Sequence, residues 1–198
     1  MSATAIPEML NIPKLVDDAA TRLRSRSRAT GVLVMSGFGG LWAALGLARS
    51  GAAGWAWFAL AALVLAFGVR ALRLLRGHAP AEEYLPREVA AQRRRAGRIF
   101  AWTSAAEGLG IFLAVNVAVN LGHPQWQAAA AMAVVGLHFL PLAFAFGYRP
   151  HLATGAALTA WALAYPWLCA AGPMAPAGFL GAGAILFASA AWALRSAR

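Results

Sequence analysis

Charged residues are scarce in this chain. Only 12% of its 198 residues are Asp, Glu, Lys or Arg, whereas 61% are hydrophobic. A soluble globular domain averages roughly 45–50% apolar and about 25% charged residues. This composition excludes the ordinary class of water-soluble domains and predicts a protein embedded in a membrane.

Cysteine and lysine are also nearly absent, and only seven residues are acidic. Cys169 is the single cysteine, which excludes an internal disulfide framework and a cysteine-based zinc site. Lys14 is the only lysine among 17 basic residues, a bias typical of a GC-rich bacterial genome. No acidic cluster suits calcium, no glycine-rich loop suits a nucleotide, and no second histidine deep in an apolar run suits haem. We therefore predict no cofactor and no metal.

What the sequence does contain is long apolar runs. A helix needs roughly 20 apolar residues to cross the hydrocarbon core of a bilayer, and the runs are rich in Ala and Leu without strand-like alternation. The predicted fold class is an all-α polytopic membrane protein with six transmembrane helices arranged as three hairpins. The predicted spans are Thr30–Ala48, Ala53–Leu75, Ile99–Leu121, Gln127–Phe146, His151–Ala170 and Ala175–Leu194.

The remaining segments carry most of the charge. Residues 1–29 are predicted as a cytoplasmic N-terminal region with an amphipathic helix from Asn11 to Arg28, lying on the membrane interface. A docking helix for a partner protein is the alternative. Residues 30–198 are predicted to form one transmembrane domain. Its basic connector at about 77–98 is predicted to form a short helix from Pro86 that leads into the third span. The first hairpin bends at Arg49, Ser50 and Gly51, where glycine favours a turn.

The basic residues are distributed very unevenly. With the N-terminus inside, sixteen of the 17 lie on the cytoplasmic side, and only Arg49 lies on the other. This bias predicts a bacterial inner-membrane protein with both termini in the cytoplasm. The formal charge of +10 is therefore interpreted as a basic cytoplasmic face that attracts anionic lipid headgroups. Specific nucleic-acid binding is not predicted. The predicted headgroup contacts are Arg22, Arg24, Arg26, Arg28, Arg93, Arg94 and Arg95.

Glu107 and His138 are the ionisable side chains that lie deep within predicted spans. At about 1.5 Å per residue, Glu107 lies roughly 14 Å from the level of Arg98, and His138 lies roughly 16 Å from that of Arg149. Since their helices are consecutive, we expect the two side chains to meet near the middle of the membrane. Ionisable residues there usually face the protein interior and serve a function. A buried hydrogen bond that sets the helix register is the structural alternative.

Other polar residues and two prolines are candidates to join this centre. Thr103 lies one turn from Glu107, whereas Asn116 and Asn120 lie on the opposite side of that helix. Tyr165 offers a hydroxyl from the fifth span. Pro141 and Pro166 release the carbonyls of the residues four positions earlier, or simply kink their helices for packing. Arg149 and His151 are expected at the cytoplasmic mouth as interface anchors.

Three functions are compatible with these features. The first is proton-linked transport, or permeation of an ion or small solute, through a polar centre around Glu107 and His138, with a homo-oligomer helping to build the pathway. The second is a non-catalytic membrane scaffold or accessory subunit, because small residues line several helices. The third is an intramembrane lipid-modifying enzyme, which the two residues alone support least.

Overall fold

The computed structural model describes residues 12–77 and 87–196. Every regular element among them is helical, which confirms the predicted all-α class. The α-helices, numbered in chain order, are α1 Ile12–Ser50, α2 Gly54–Gly77, α3 Arg87–Asn120, α4 Gln127–Phe146, α5 Pro150–Leu168 and α6 Pro176–Ser196. Short 3₁₀ turns at Pro124–Trp126 and Gly172–Met174 precede α4 and α6.

Five of the six helices are long and apolar enough to cross a membrane. The qualifying segments are Ser25–Ser50, Gly54–Arg76, Arg93–Asn120, Pro124–Phe146 and Pro176–Ser196. The fifth helix, α5, has 19 residues but is not among these segments, since it carries a histidine, two threonines, a tyrosine and two prolines. The predicted fifth span is therefore long enough to cross a bilayer, but it is less hydrophobic than the five qualifying segments.

The N-terminal region and the first predicted span form one element. Helix α1 runs without interruption for 39 residues, a length of about 58 Å at 1.5 Å per residue. This differs from the prediction of a separate interfacial helix followed by a span. No proline lies between Pro13 and Ser50, and the glycines in between do not interrupt the helix. The side chains of residues 12–20 and 22–24 lie outside the described part of the structure.

The first hairpin turn is where the sequence predicts it. Helix α1 ends at Ser50, and Gly51 adopts a φ of +64° before α2 begins at Gly54. Gly147, with a φ of +59°, ends α4 in the same left-handed conformation. Glycine occupies this conformation without the steric penalty that a side chain brings.

The helices pack as an open row in the order α2, α1, α6, α5, α4, α3. The contact between α1 and α6 is the most extensive, and it brings the two backbones together: a Cβ on Gly183 would lie 2.9 Å from the Gly39 carbonyl oxygen. Helices α2 and α3 form the two ends of the row, and only 6% of the apolar segment of each is buried. The described part of the protein therefore leaves both end helices largely uncovered.

Contacts at the helix ends establish how the row is oriented. At one end, the Arg28 guanidinium of α1 lies over the Tyr148 ring between α4 and α5, and it donates a hydrogen bond to the Ser196 carbonyl of α6. At the other, the Arg49 guanidinium contacts the Met174 sulfur and lies over the Phe179 ring. We call these the Arg28 end and the Arg49 end. Consecutive helices thus run in alternating directions, as the hairpin prediction requires.

Candidate functional site: a carboxylate–imidazole pair between α3 and α4

Glu107 of α3 and His138 of α4 face each other across the helix contact. Glu107 Oε2 lies 3.4 Å from His138 Nδ1, and the two side chains are 24% and 9% exposed. The expected meeting of these residues is therefore present in the structure. Glu107 lies at the middle of the apolar segment Arg93–Asn120, nine residues from Arg98, the nearest other charged residue in that segment.

Local sequence explains why the helices approach here. Gly110, one turn from Glu107, packs against Val134, one turn from His138, and a Cβ on Gly110 would lie 3.0 Å from a Val134 methyl carbon. The short connection through the 3₁₀ turn at Pro124–Trp126 makes α3 and α4 antiparallel neighbours. Small residues allow such close contact between apolar helices.

A second oxygen contacts the same imidazole nitrogen. The carbonyl oxygen of Thr103 lies 3.3 Å from His138 Nδ1. Thr103, predicted near Glu107, thus contributes its backbone to the site. A carbonyl can only accept, so this contact favours the tautomer in which Nδ1 carries the hydrogen and donates it toward Thr103 and the carboxylate. Nε2 is then the basic nitrogen of the neutral ring.

This arrangement is suited to proton exchange. A carboxylate and an imidazole in hydrogen-bonding proximity can each bind and release one proton. Among the described residues, no group of three His, Cys, Asp or Glu side chains could hold a metal ion. The pair alone supplies two ligands, fewer than the three protein ligands of a catalytic zinc site.

The other predicted polar residues lie elsewhere. The Asn116 amide donates a 2.7 Å hydrogen bond to the Phe112 carbonyl of its own helix and is exposed, and Asn120 is exposed at the end of α3. The Tyr165 hydroxyl donates a 3.0 Å hydrogen bond to the Pro173 carbonyl at the Arg49 end. The structure therefore brings Thr103 to the pair, while it places these three residues away from it.

The two prolines lie inside continuous helices. Pro141 is exposed within α4, and Pro166 is buried within α5. Each still lacks the N–H that would bind the carbonyl four residues earlier, which belongs to Leu137 and Ala162 respectively. Neither proline ends its helix.

The predicted headgroup arginines have different environments. The side chains of Arg93, Arg94 and Arg95 are exposed near the start of α3. Arg28, in contrast, is engaged within the protein by Tyr148 and the end of α6. Arg26 is partly buried. The side chains of Arg22 and Arg24 lie outside the described residues.

His151, predicted as an interface anchor, is partly buried and packs against aromatic side chains of the protein. Its ring lies 5.6 Å from that of Phe139 and 5.0 Å from that of Tyr148. The sequence reasoning did not single out Tyr148. Tyr148 directly precedes Arg149 and Pro150, and a proline at this position is typical of the start of a helix. This pattern places Tyr148 and His151 in the same turn and could have identified Tyr148.

No protein-family model, no curated protein and no solved structure matches this chain.

Proposed function

We propose that this chain is a multi-pass membrane protein that moves protons, alone or coupled to a small ion or solute, through the Glu107–His138 pair. The observation that carries the proposal is the contact between these two ionisable side chains at the middle of a long apolar segment. Placing a charged residue there costs at least about 2.5 kcal/mol. Asparagine or threonine would set the helix register at lower cost, so a role in proton transfer explains the choice of residues better.

The exposed surface supports membrane embedding. Large apolar side chains are exposed along α2 and α3. Exposed tryptophans lie at both ends of the helix axes, with Trp55 and Trp167 near the Arg49 end and Trp102 and Trp192 toward the Arg28 end. Tryptophan at both interfaces is typical of membrane proteins. All six helices cross the bilayer in this proposal, with α5 shielded by α4 and α6.

The orientation follows from the basic residues. Among the described residues, the arginines gather toward the Arg28 end, whereas Arg49 is the lone arginine at the opposite end. Under the positive-inside rule the Arg28 end faces the cytoplasm. The arginine-rich composition is consistent with a bacterial inner membrane.

The pair passes protons by alternating protonation states. His138 Nδ1–H is held by the Thr103 carbonyl and faces the Glu107 carboxylate, so a proton arriving at Nε2 produces an imidazolium. That ring transfers its Nδ1 proton to Glu107 and becomes neutral with its remaining hydrogen on Nε2. The protonated carboxyl then releases its proton, and exchange of the ring proton with water restores the Nδ1–H tautomer for the next cycle. One proton enters and one leaves, with no redox change.

A second candidate is a scaffold or subunit that binds a membrane partner. The observation that favours it is the nearly complete exposure of α2 and α3, the two ends of the helix row. In the transport proposal these faces contact lipid or a second copy of the chain. Native mass spectrometry from mild detergent distinguishes these cases, because a scaffold retains a defined partner whereas a transporter is recovered alone or as a homo-oligomer.

The transport proposal is tested with purified protein in liposomes. An imposed pH gradient should drive proton flux that Glu107→Gln abolishes, because glutamine retains the shape and hydrogen bonding of glutamate but does not ionise. His138→Gln should strongly reduce the flux. The control His123→Gln changes an exposed histidine of the α3–α4 turn and should leave the flux unchanged. Flux that survives Glu107→Gln rejects the proposal.

A further inference from the structure

A second group of ionisable side chains lies between the Glu107–His138 pair and the Arg28 end. It consists of His151, at the start of α5, and Tyr148, in the preceding turn. Their rings meet edge to face with centroids 5.0 Å apart. The Arg28 guanidinium covers the Tyr148 ring at 5.6 Å. Arg149, the next residue after Tyr148, is exposed.

Both of these residues have a buried polar atom with no hydrogen-bond partner in the protein. They are Tyr148 Oη and His151 Nδ1, and they are the two such side-chain atoms found among the described residues. Buried polar atoms in native proteins are almost always hydrogen-bonded, to protein groups or to ordered water. A hydroxyl and an imidazole nitrogen in one turn are well suited to hold water molecules.

This group is connected to the pair through one aromatic residue. The ring of Phe139 lies 5.9 Å from that of His138 and 5.6 Å from that of His151. Phe139 is only 8% exposed, so it lies inside the protein beside both imidazoles. Phe139 therefore lies between the His138 and His151 rings.

The Arg49 end offers no comparable group among the described residues. Trp161 Nε1 donates a 2.9 Å hydrogen bond to the Gly178 carbonyl, and the Tyr165 hydroxyl donates one of 3.0 Å to the Pro173 carbonyl. Both side chains are therefore satisfied by backbone oxygens. Among the described residues, the buried side-chain polar atoms without a protein partner therefore lie toward the Arg28 end.

We infer that the Glu107–His138 pair exchanges protons with the Arg28 end along a route through His151 and Tyr148. Water molecules held by Tyr148 Oη and His151 Nδ1 carry each proton past Phe139 to His138. At every transfer one group gains a proton and its neighbour loses one. The route rests on the proposed function, since it specifies the side from which that same site is loaded.

The test follows the carboxyl group of Glu107 by infrared spectroscopy. The protein is reconstituted in one orientation in liposomes, and the Glu107 band is identified as the C=O signal missing from Glu107→Gln. The pH is then changed rapidly on one side while the other side is strongly buffered. The carboxyl should respond to the pH at the Arg28 end. His151→Phe and Tyr148→Phe should slow that response at least about tenfold, by removing proton-transfer groups.

The control His123→Phe makes the same replacement in the α3–α4 turn and should respond like the parent protein. Tyr148→Phe removes a hydroxyl without a protein partner, so it carries the test even where His151→Phe fails to fold. Response rates equal to the parent in both variants, or a response only from the Arg49 end, overturn the route. An unaffected proton flux in both variants, with Glu107→Gln inactive, rejects the route alone. Absence of flux in the parent rejects the proposed function, while the infrared response still decides the route.

Discussion

Gly136 of α4 and Gly155 of α5 face each other so closely that the two backbones touch. A Cβ on Gly155 would lie 2.7 Å from the Gly136 carbonyl oxygen, and one on Gly136 would lie 2.7 Å from the Thr159 backbone nitrogen. This contact sets the distance between the helices that carry His138 and His151. It therefore connects helix packing to the geometry of the candidate site.

The glycine contact predicts strong sensitivity to an added methyl group. Gly136→Ala and Gly155→Ala should each lower the free energy of unfolding by about 1–3 kcal/mol, because backbone atoms cannot move aside as a flexible side chain does. Thermal unfolding in detergent measures the change. Gly108→Ala is the matched control, since nothing lies within 4 Å of its added Cβ. Equal effects at all three positions would contradict the packing explanation.

The contact between Glu107 and His138 predicts non-additive effects on stability. His138→Leu leaves the Glu107 carboxylate without its partner, and we expect a loss of about 1–3 kcal/mol. In the double variant Glu107→Gln with His138→Leu, no unpaired charge remains, so part of that loss should be recovered. Chemical unfolding in micelles measures the coupling. A double variant whose loss equals the sum of the single losses would show that the two residues do not interact.

The contacts of Arg28 predict that its replacement destabilises the last turn of α6. Its guanidinium binds the Ser196 carbonyl and covers Tyr148, so Arg28→Met should cost about 1 kcal/mol through loss of the helix-end and cation–π interactions. Amide hydrogen exchange should become faster in the last turn of α6. Arg28→Lys should restore the protection only in part, because an ammonium lacks the planar guanidinium that covers the ring.

The matched control for this change is Arg94→Met. Arg94 is exposed near the start of α3, so its replacement should leave exchange in α6 unchanged. The same acceleration in both variants would indicate a general charge effect and would reject the local explanation.

The proposed orientation predicts opposite labelling of two serines. Ser50 and Ser196 each donate a 3.0 Å hydrogen bond to a carbonyl of their own helix, Leu47 and Trp192 respectively. Replaced singly by cysteine in a Cys169→Ser background, they form a matched pair. A membrane-impermeant maleimide should label Ser50→Cys from outside intact cells and Ser196→Cys only in inverted vesicles. Labelling of both from one side would reject the hairpin topology, and the reverse pattern would reject the orientation.

The sequence by itself determined the helical class, the positions of most helix boundaries and the two residues of the candidate pair. Long apolar runs restrict the chain to helices, and Gly51 indicated the first turn that the structure contains. The contact between Glu107 and His138 could be predicted because a short turn joins their helices and the rise per residue of an α-helix is constant. Local periodicity and chain connectivity suffice for such inferences.

Only the tertiary structure decided the order of the helices and the surroundings of the pair. The extensive contact of α1 with α6, and the open row that results, depend on packing between segments far apart in sequence. The role of the Thr103 carbonyl is a backbone contact, so no side-chain pattern reveals it. Tyr165 is attractive as a nearby hydroxyl in sequence, yet its hydrogen bond to Pro173 holds it at the other end. Which partner a polar side chain meets depends on the direction it points from its helix, and that direction is set by long-range packing.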